Sequence, residues 1–364
     1  MNDNIFDRLM ELLQSPGPVN WKLAAEVTGS LAGADATVVP GLVAEYEQLV
    51  HLAQLHIEPV ASFPLQNPKL HVVERAGWAK DNLKSFAYLA EPLAAKLGGA
   101  AGEGAMEQVM APLGPVILGM QVGAMVGFMS HRVLGQFDVG LPPLGADGLY
   151  LVAPNIEDFA RDHQIDPPQA RLWAALHEVA FNGVMSVSWI RPHLNSLIED
   201  YFEGVEFDPS SLLSRFEGLD DPEELERLMA DPGVISSIVS GPGQEEALGK
   251  IRAMTALVDG YADWMMQRVA PDLIPDAPRL AESINRRRAE PSQGEEFLAR
   301  FAGLELKRLE YRLGAEFCRD VHERWGDEGL ATLLGEPENL PTVPELQDPI
   351  GWAARVLVDR IGSE

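Results

Sequence analysis

Apolar residues recur at three- and four-residue intervals through most of the chain, the spacing that lines one face of an α-helix. Residues 4 to 14, NIFDRLMELLQ, set Ile5, Leu9, Leu12 and Leu13 on one stripe, with Pro16-Gly17-Pro18 as a stop. Further helices are predicted from Asn20-Trp21 to about Ala32, Ala36 to about Leu55, Val73 to about Leu97 and Gln169 to Ile190, where Pro192 should end the run. Pro222 to Ala230, Glu245 to Val269, Glu295 to Trp325 and Ile350 to Ile361 complete the helical set. The glycine run from Gly98 to Gly104 is expected to be a flexible link; it lacks the Lys-Ser/Thr of a phosphate loop. Leu149 to Pro154, short and bounded by turn residues, is the best strand candidate. This pattern predicts a mainly α fold with a small β element. We expect a single compact multi-helix unit over residues 1–364, with residues 1–18 as an N-terminal extension helix.

One stretch departs from the amphipathic pattern. Gln108 to Ser130 carries no charge over 23 residues, long enough to span a bilayer. Gly119, Gly123 and Gly127 recur every fourth residue and bare one face of that helix. A helix apolar all round is a membrane span or a buried core helix, and a glycine face suits close packing in both. The flanks Glu107 and His131-Arg132 lack a strong positive bias and no second such stretch exists, which favours the buried helix.

Charge narrows the function classes. The 364 residues carry 28 Lys+Arg against 55 Asp+Glu, a formal net charge of -27. Such a surface repels phosphate backbones and anionic lipid heads, so neither nucleic acid nor membrane is expected as a partner. The largest basic run, Arg286-Arg287-Arg288, is better suited to pairing with the many carboxylates. The single cysteine, Cys318, allows no internal disulfide and reads as a buried thiol. With no basic-then-apolar leader at the N-terminus, a cytoplasmic location is expected.

Two helices hold the candidate chemistry. In RLWAALHEVAF, His177 and Glu178 stand mid-helix, and His177 shares an inward stripe with Trp173, Phe181 and Val184. The zinc-peptidase pattern H-E-x-x-H sets two histidines on one helical face around a metal, with the Glu acting on metal-bound water. Here its last position is Phe181. An inward histidine of this kind is either a hydrogen-bonded core residue or a ligand. In DGYADWMM, Asp259 and Asp263 lie one turn apart, a like-charged pair that is solvated or holds a cation.

Several segments in order carry a resemblance: GPVNW at Gly17–Trp21, QVGAMVGFMSHRVLGQFD at Gln121–Asp138, LYLVAPNI at Leu149–Ile156, RLWAALHEVAF at Arg171–Phe181, DGYADWMM at Asp259–Met266, GLELKRLEYRLGAEF at Gly303–Phe317 and ENLPTVPEL at Glu338–Leu346. Together they resemble a family of bacterial, chiefly actinobacterial, hydrolase-like proteins classed as zincin-like metallopeptidases, one branch of which is associated with deazaflavin coenzyme biosynthesis. The resemblance covers residues 19–356 and implies a zincin-like α+β fold, with motif helices near 169–190 and 245–269 and the glycine-lined helix inside the protein.

The resemblance also implies His177 as a retained zinc ligand, Glu178 as the retained general base, Phe181 at the second ligand position and Asp259 at the third. A degenerate motif of this kind predicts a vestigial site: Glu178 without a working water, His177 and Asp259 without a full ligand set, and no cofactor at full occupancy. The expectation is a catalytically inactive homologue, a pseudoenzyme, that binds or scaffolds an unidentified protein or peptide. The alternative is an active zinc-dependent hydrolase with a variant ligand set, for which His193 or Asp263 would supply the missing donor.

Overall fold

The computed structural model describes residues 17–34, 37–100, 105–138, 141–145, 148–204, 206–207, 239–240, 244–290, 293–302 and 309–357. The expected N-terminal extension helix and the helix at Pro222 to Ala230 lie outside these residues. The described chain is mainly helical, with two two-stranded sheets. The helices are α1 (Trp21–Ala32), α2 (Pro40–Ile57), α3 (Arg75–Asn82), α4 (Ala87–Ala100), α5 (Ala105–Ser130), α6 (Ala153–Asp162), α7 (Pro167–Met185) and α8 (Ile190–Glu203). They continue with α9 (Gln244–Leu273), α10 (Ala277–Ala289), α11 (Gln293–Ala302), α12 (Leu309–Leu333) and α13 (Pro349–Val356).

The uncharged stretch is α5, and its glycine face has a partner. The Asn20 side chain caps α1 by accepting from the Leu23 N–H at 3.0 Å, while the Asn20 N–H donates to the Pro115 carbonyl of α5 at 2.9 Å. The two helices then run so close that a Cβ added at Gly119 would lie 2.5 Å from the Asn20 carbonyl oxygen, and one at Gly123 would lie 2.5 Å from that of Ala24. The buried Thr28 hydroxyl uses this proximity to donate to the Gly123 carbonyl at 3.0 Å. Val122, Met125, Val126 and Met129 bury the other faces of α5. Among the described residues no helix is long and apolar enough to cross a membrane.

Strand β2 (Leu149–Val152) lies within the short, turn-bounded segment expected to be a strand, and is fully buried. Its partner β1 (Leu70–Val73) was not expected: it runs parallel to β2 with Leu70 opposite Leu149 and Val73 opposite Val152. The helix predicted from Val73 therefore begins at Arg75, breaks into a 3-10 turn at Leu83–Phe86 and resumes as α4. On the far side of β2, Gly135 makes an isolated antiparallel bridge to Leu151, which lays the segment after α5 along the sheet. A second pair, β3 (Glu206–Phe207) and β4 (Val239–Ser240), is antiparallel.

Helix α7 crosses the centre, packed against α2, α6 and α9, and every residue from Ala174 to Met185 is buried. It ends at Met185, short of the predicted Ile190, where Ser186 bonds back to the Asn182 carbonyl at 2.6 Å. Pro192 opens α8 and does not close α7, because a proline in the first turn removes an N–H that has no helical acceptor. Of the long predicted helix at Glu295 to Trp325, the described residues fall in α11 and α12, and α12 kinks at Gly326, whose φ is 64°.

The α1–α5 contact predicts that Gly123→Leu costs about 1–3 kcal/mol or more, because the side chain must enter the Ala24 backbone. Gly249→Ala in α9, where an added Cβ meets nothing within 4 Å, should be neutral or stabilising. Urea midpoints of the two variants test this, and an unchanged midpoint for Gly123→Leu would contradict the packing.

Candidate functional site

The inward face of α7 carries the motif residues to the middle of the protein. His177 is 7% exposed, Glu178 1% and Phe181 2%. A carboxylate that deep must find hydrogen-bond donors, since leaving a charge unpaired in the interior costs several kcal/mol. The segment following α5 supplies them. The Gln136 N–H donates to Glu178 Oε2 at 2.8 Å, and the Phe137 N–H lies 3.2 Å from Oε2 and 3.3 Å from Oε1. This wrapping requires glycine at 135, because a Cβ there would collide with the Glu178 carboxylate carbon. Burial pushes the Glu178 carboxyl upward, while the His177 and backbone hydrogen bonds pull it down. Both backbone neighbours are donors, which suits the ionised form.

His177 links this carboxylate to a cation. Its Nδ1 lies 3.3 Å from Glu178 Oε1, and its Nε2 lies 2.9 Å from Nη2 of Arg288. Burial opposes an imidazolium and Glu178 favours one. The Arg288 contact decides the tautomer: a guanidinium has N–H groups and no lone pair, so Nε2 must accept and Nδ1–H must donate to Glu178. The other arm of Arg288, Nη1, donates to Asp263 Oδ2 at 2.8 Å. Asp259, one turn earlier on α9, belongs to the same cluster: its carboxyl is pushed up to about 8, chiefly by burial and further by Asp263, against the downward pull of Arg288. For Arg288 itself, burial works against the charge, and Asp263, Asp259 and Asp138 outweigh it.

Arg288 sits in the last turn of α10, where the helix dipole also favours a cation. Its neighbours in the basic run are paired as well. Arg286 bridges Glu282, and Arg287 donates to Asp138 Oδ2 at 2.6 Å and to the Arg132 carbonyl. Asp138 also accepts the Leu134 N–H at 3.0 Å, so it clamps the same segment that wraps Glu178. Phe181 stacks on Phe137, with centroids 4.9 Å apart and planes within 9°. Beside His177, Glu178 and Arg288 there remains a cavity of about 10 Å³, the lower limit for one water.

The structure thus brings His177, Glu178, Phe181, Asp259 and Asp263 into one neighbourhood. His193 stands elsewhere, edge-on to Trp189, with Glu338 and Asp200 as its charged neighbours. Cys318 is buried, and burial pushes its thiol upward. The sequence reading missed Gly135, Gln136, Asp138 and the specific role of Arg288. A hint lay in the uninterrupted Gly-Gln-Phe-Asp at 135–138, a glycine and an acid next to an apolar helix.

Order of segments, helical architecture and the His-Glu helix agree with one family model. It is described as zincin-like metallopeptidase and matches residues 19–353. The chain belongs to this zincin-like family. Its fold is also that of a solved structure from Chloroflexus aurantiacus, described as a hydrolase candidate with a novel fold, with a TM-score of 0.70 and 23% identity, covering 95% of this chain and 99% of that one. At that identity the likeness shows the fold alone. No curated protein matches the chain.

The zincin-like name implies a zinc ion, and the residues present do not fit one. Zinc takes nitrogen, oxygen or sulfur donors at about 2.0–2.3 Å, commonly three from the protein in a hydrolase. Here the outward nitrogen of His177 is occupied by an arginine N–H, and one turn further along α7 the side chain is a phenyl ring without a lone pair. Among the described residues no three His, Cys, Asp or Glu side chains group so as to hold a metal ion.

The Asp138–Arg287 pair, with side chains 6% and 10% exposed, gives a stability prediction. Burial works to raise the Asp138 carboxyl, and Arg287 outweighs it, so the folded value lies below the ordinary value of 3.8. A depressed carboxyl contributes stability above its unfolded pKa and loses it as pH falls through the folded value. Asp138→Asn should therefore cost about 3–5 kcal/mol at neutral pH by leaving Arg287 without its carboxylate. Below about pH 4 the gap between parent and variant should close, as measured by urea unfolding across pH. A gap that stays constant into acid would refute the pairing.

Proposed function

We propose that this chain is a non-catalytic member of the zincin-like family, a pseudoenzyme that keeps the fold as a binding or scaffolding frame for a protein or peptide. The observation that carries this reading is the Arg288 guanidinium on His177 Nε2, at 2.9 Å, where a metal-binding histidine would offer its lone pair. Two further contacts support it. Glu178 spends its carboxylate on the Gln136 and Phe137 N–H groups and on His177, which leaves it poorly placed to take a proton from water. Phe181 fills the second ligand position and is held by its stack on Phe137. The one cysteine and the net charge of -27 fit a partner met in the cytoplasm that is neither nucleic acid nor lipid.

A second reading, an active zinc hydrolase with a variant ligand set, draws on the family description and on the hydrolase designation of the Chloroflexus protein. In this chain it would need Arg288 to withdraw, leaving His177 to face Asp259 and Asp263.

Purified chain, dialysed against metal-free buffer, should carry far less than one zinc per molecule by elemental analysis and should not cleave a library of unstructured peptides. Stoichiometric zinc, or cleavage abolished by Glu178→Gln, would overturn the non-catalytic reading in favour of the second.

A further inference from the structure

We infer that the outer edge of strand β1 is a docking surface for an extended, cationic peptide, which adds to the sheet as a further strand beside Leu70–Val73. It rests on the scaffolding reading above, to which it adds the surface and the chemistry of the partner.

The register of the sheet leaves this edge unused. β1 runs parallel to β2 with Leu70 opposite Leu149, and the Leu149 N–H donates to the Lys69 carbonyl at 2.9 Å. A strand turns every second residue toward a given neighbour, so Lys69, His71 and Val73 serve β2 while Leu70 and Val72 direct their N–H and C=O groups away from it. Among the described residues nothing bonds to the main chain of Leu70 or Val72 on that outer side. The opposite edge of the sheet is where Gly135 bridges Leu151 and lies against Glu178, so the unused edge faces away from the His-Glu cluster. All four residues of β1 are half-buried, whereas all four of β2 are buried. An edge that presents two donors and two acceptors is a template for another chain. Strand addition draws affinity from such main-chain bonds and specificity from alternate side chains.

Neighbouring features select the occupant. Helix α2 packs against β1 and is tied to its flanks at both ends: the Val38 N–H donates to Glu74 Oε1 at 2.9 Å, and Gln54 Nε2 donates to Asn67 Oδ1 at 3.1 Å. Next to those ties stand Val39 and Leu55, 61% and 55% exposed, two of the three large apolar side chains that the described surface leaves in water. At 1.5 Å per helical residue they are roughly 24 Å apart, the span of about eight extended residues. A peptide of that length whose apolar side chains alternate with polar ones can cover both while its main chain pairs with β1. The net charge of -27 sets the sign of the polar residues: it repels a second copy of the chain and draws a segment carrying Lys or Arg.

Amide exchange followed by NMR on the full chain tests this, with an octapeptide of alternating lysine and valine as the probe. Without peptide, the Leu70 and Val72 amides should exchange about tenfold or more faster than those of His71 and Val73; with it, they should slow to match. Methylating every second backbone nitrogen of the peptide should abolish binding in one phase and spare it in the other, a signature that side-chain docking does not give. A glutamate-valine octapeptide should bind about tenfold or more weakly. Val72→Pro removes one outward donor and keeps the bonds to β2, since proline is tolerated on an edge strand; it should melt near the parent and lose the peptide.

Leu70 and Val72 amides as protected as His71 and Val73 in the free chain, binding indifferent to the methylation phase, or equal affinity for the glutamate peptide would overturn the inference. Protection that rises with protein concentration alone would overturn it too, assigning the edge to a second copy. If Val72→Pro does not fold, the methylated peptides on the parent chain decide. A parent that holds no zinc and ignores the peptide loses this inference alone, whereas stoichiometric zinc strikes the non-catalytic reading whatever the peptide does.

Discussion

A carboxylate in the middle of a buried helix is the constraint from which the surroundings of α7 follow. Glu178 is 1% exposed, with α-helix before and after it, so its own helix offers no free donors. The backbone N–H groups of 136 and 137 meet that need, and they do so only because the chain leaves α5 and passes flat against α7. That passage requires the bare backbone of Gly135, and it is fastened at one end by the bridge to Leu151. At the other end Asp138 takes both the Leu134 N–H and the Arg287 guanidinium. Asn155 adds to the hold by donating to the Ser130 and Val133 carbonyls at 2.8 and 2.7 Å. The buried charge thus organises a loop, a strand edge and the end of α10.

The same constraint explains why the cluster is closed. Each new charge brought in to satisfy a neighbour needs its own partner, and the chain of pairings runs from Glu178 through His177 to Arg288 and Asp263. The pairing terminates near the surface, where Arg288 and Asp263 are 24% and 25% exposed and water can take the remainder of the field. Membership of a family gives the fold, and the side chains that occupy the cluster decide what it can do.

Much of this was legible in the sequence because it is local. Periodicity locates α1, α7 and α9, flanking turn residues locate β2, and the every-fourth glycines of α5 announce a close helix contact. Strand β1 was not legible: Leu70–Val73 is four apolar-rich residues running directly into a helical pattern, and its only justification is the pairing with β2 some eighty residues later. Pro192 misled because a proline is tolerated in a first turn as readily as it ends a preceding one. His177, Glu178 and Phe181 are visible on one helix face. Arg288 reads locally as one of three arginines on a polar helix, and nothing within its own helix distinguishes it from Arg286, which pairs on the surface with Glu282. Its contact with His177 spans 111 positions.

Phe181 and Arg288 answer different halves of one physical problem. Phe181 fills its place in the core with an aromatic ring, and the face of Phe137 stacks on it. A phenyl ring offers no lone pair, so at this position it can neither ligate a metal nor accept from a donor. Arg288 supplies positive charge but no lone pair, so His177 Nε2 serves it as a hydrogen-bond acceptor. Without Arg288, Asp263 would lose the guanidinium it meets at 2.8 Å and His177 Nε2 would lose its donor. Phe181 and Arg288 together give a site whose volume and charge are satisfied from within the chain.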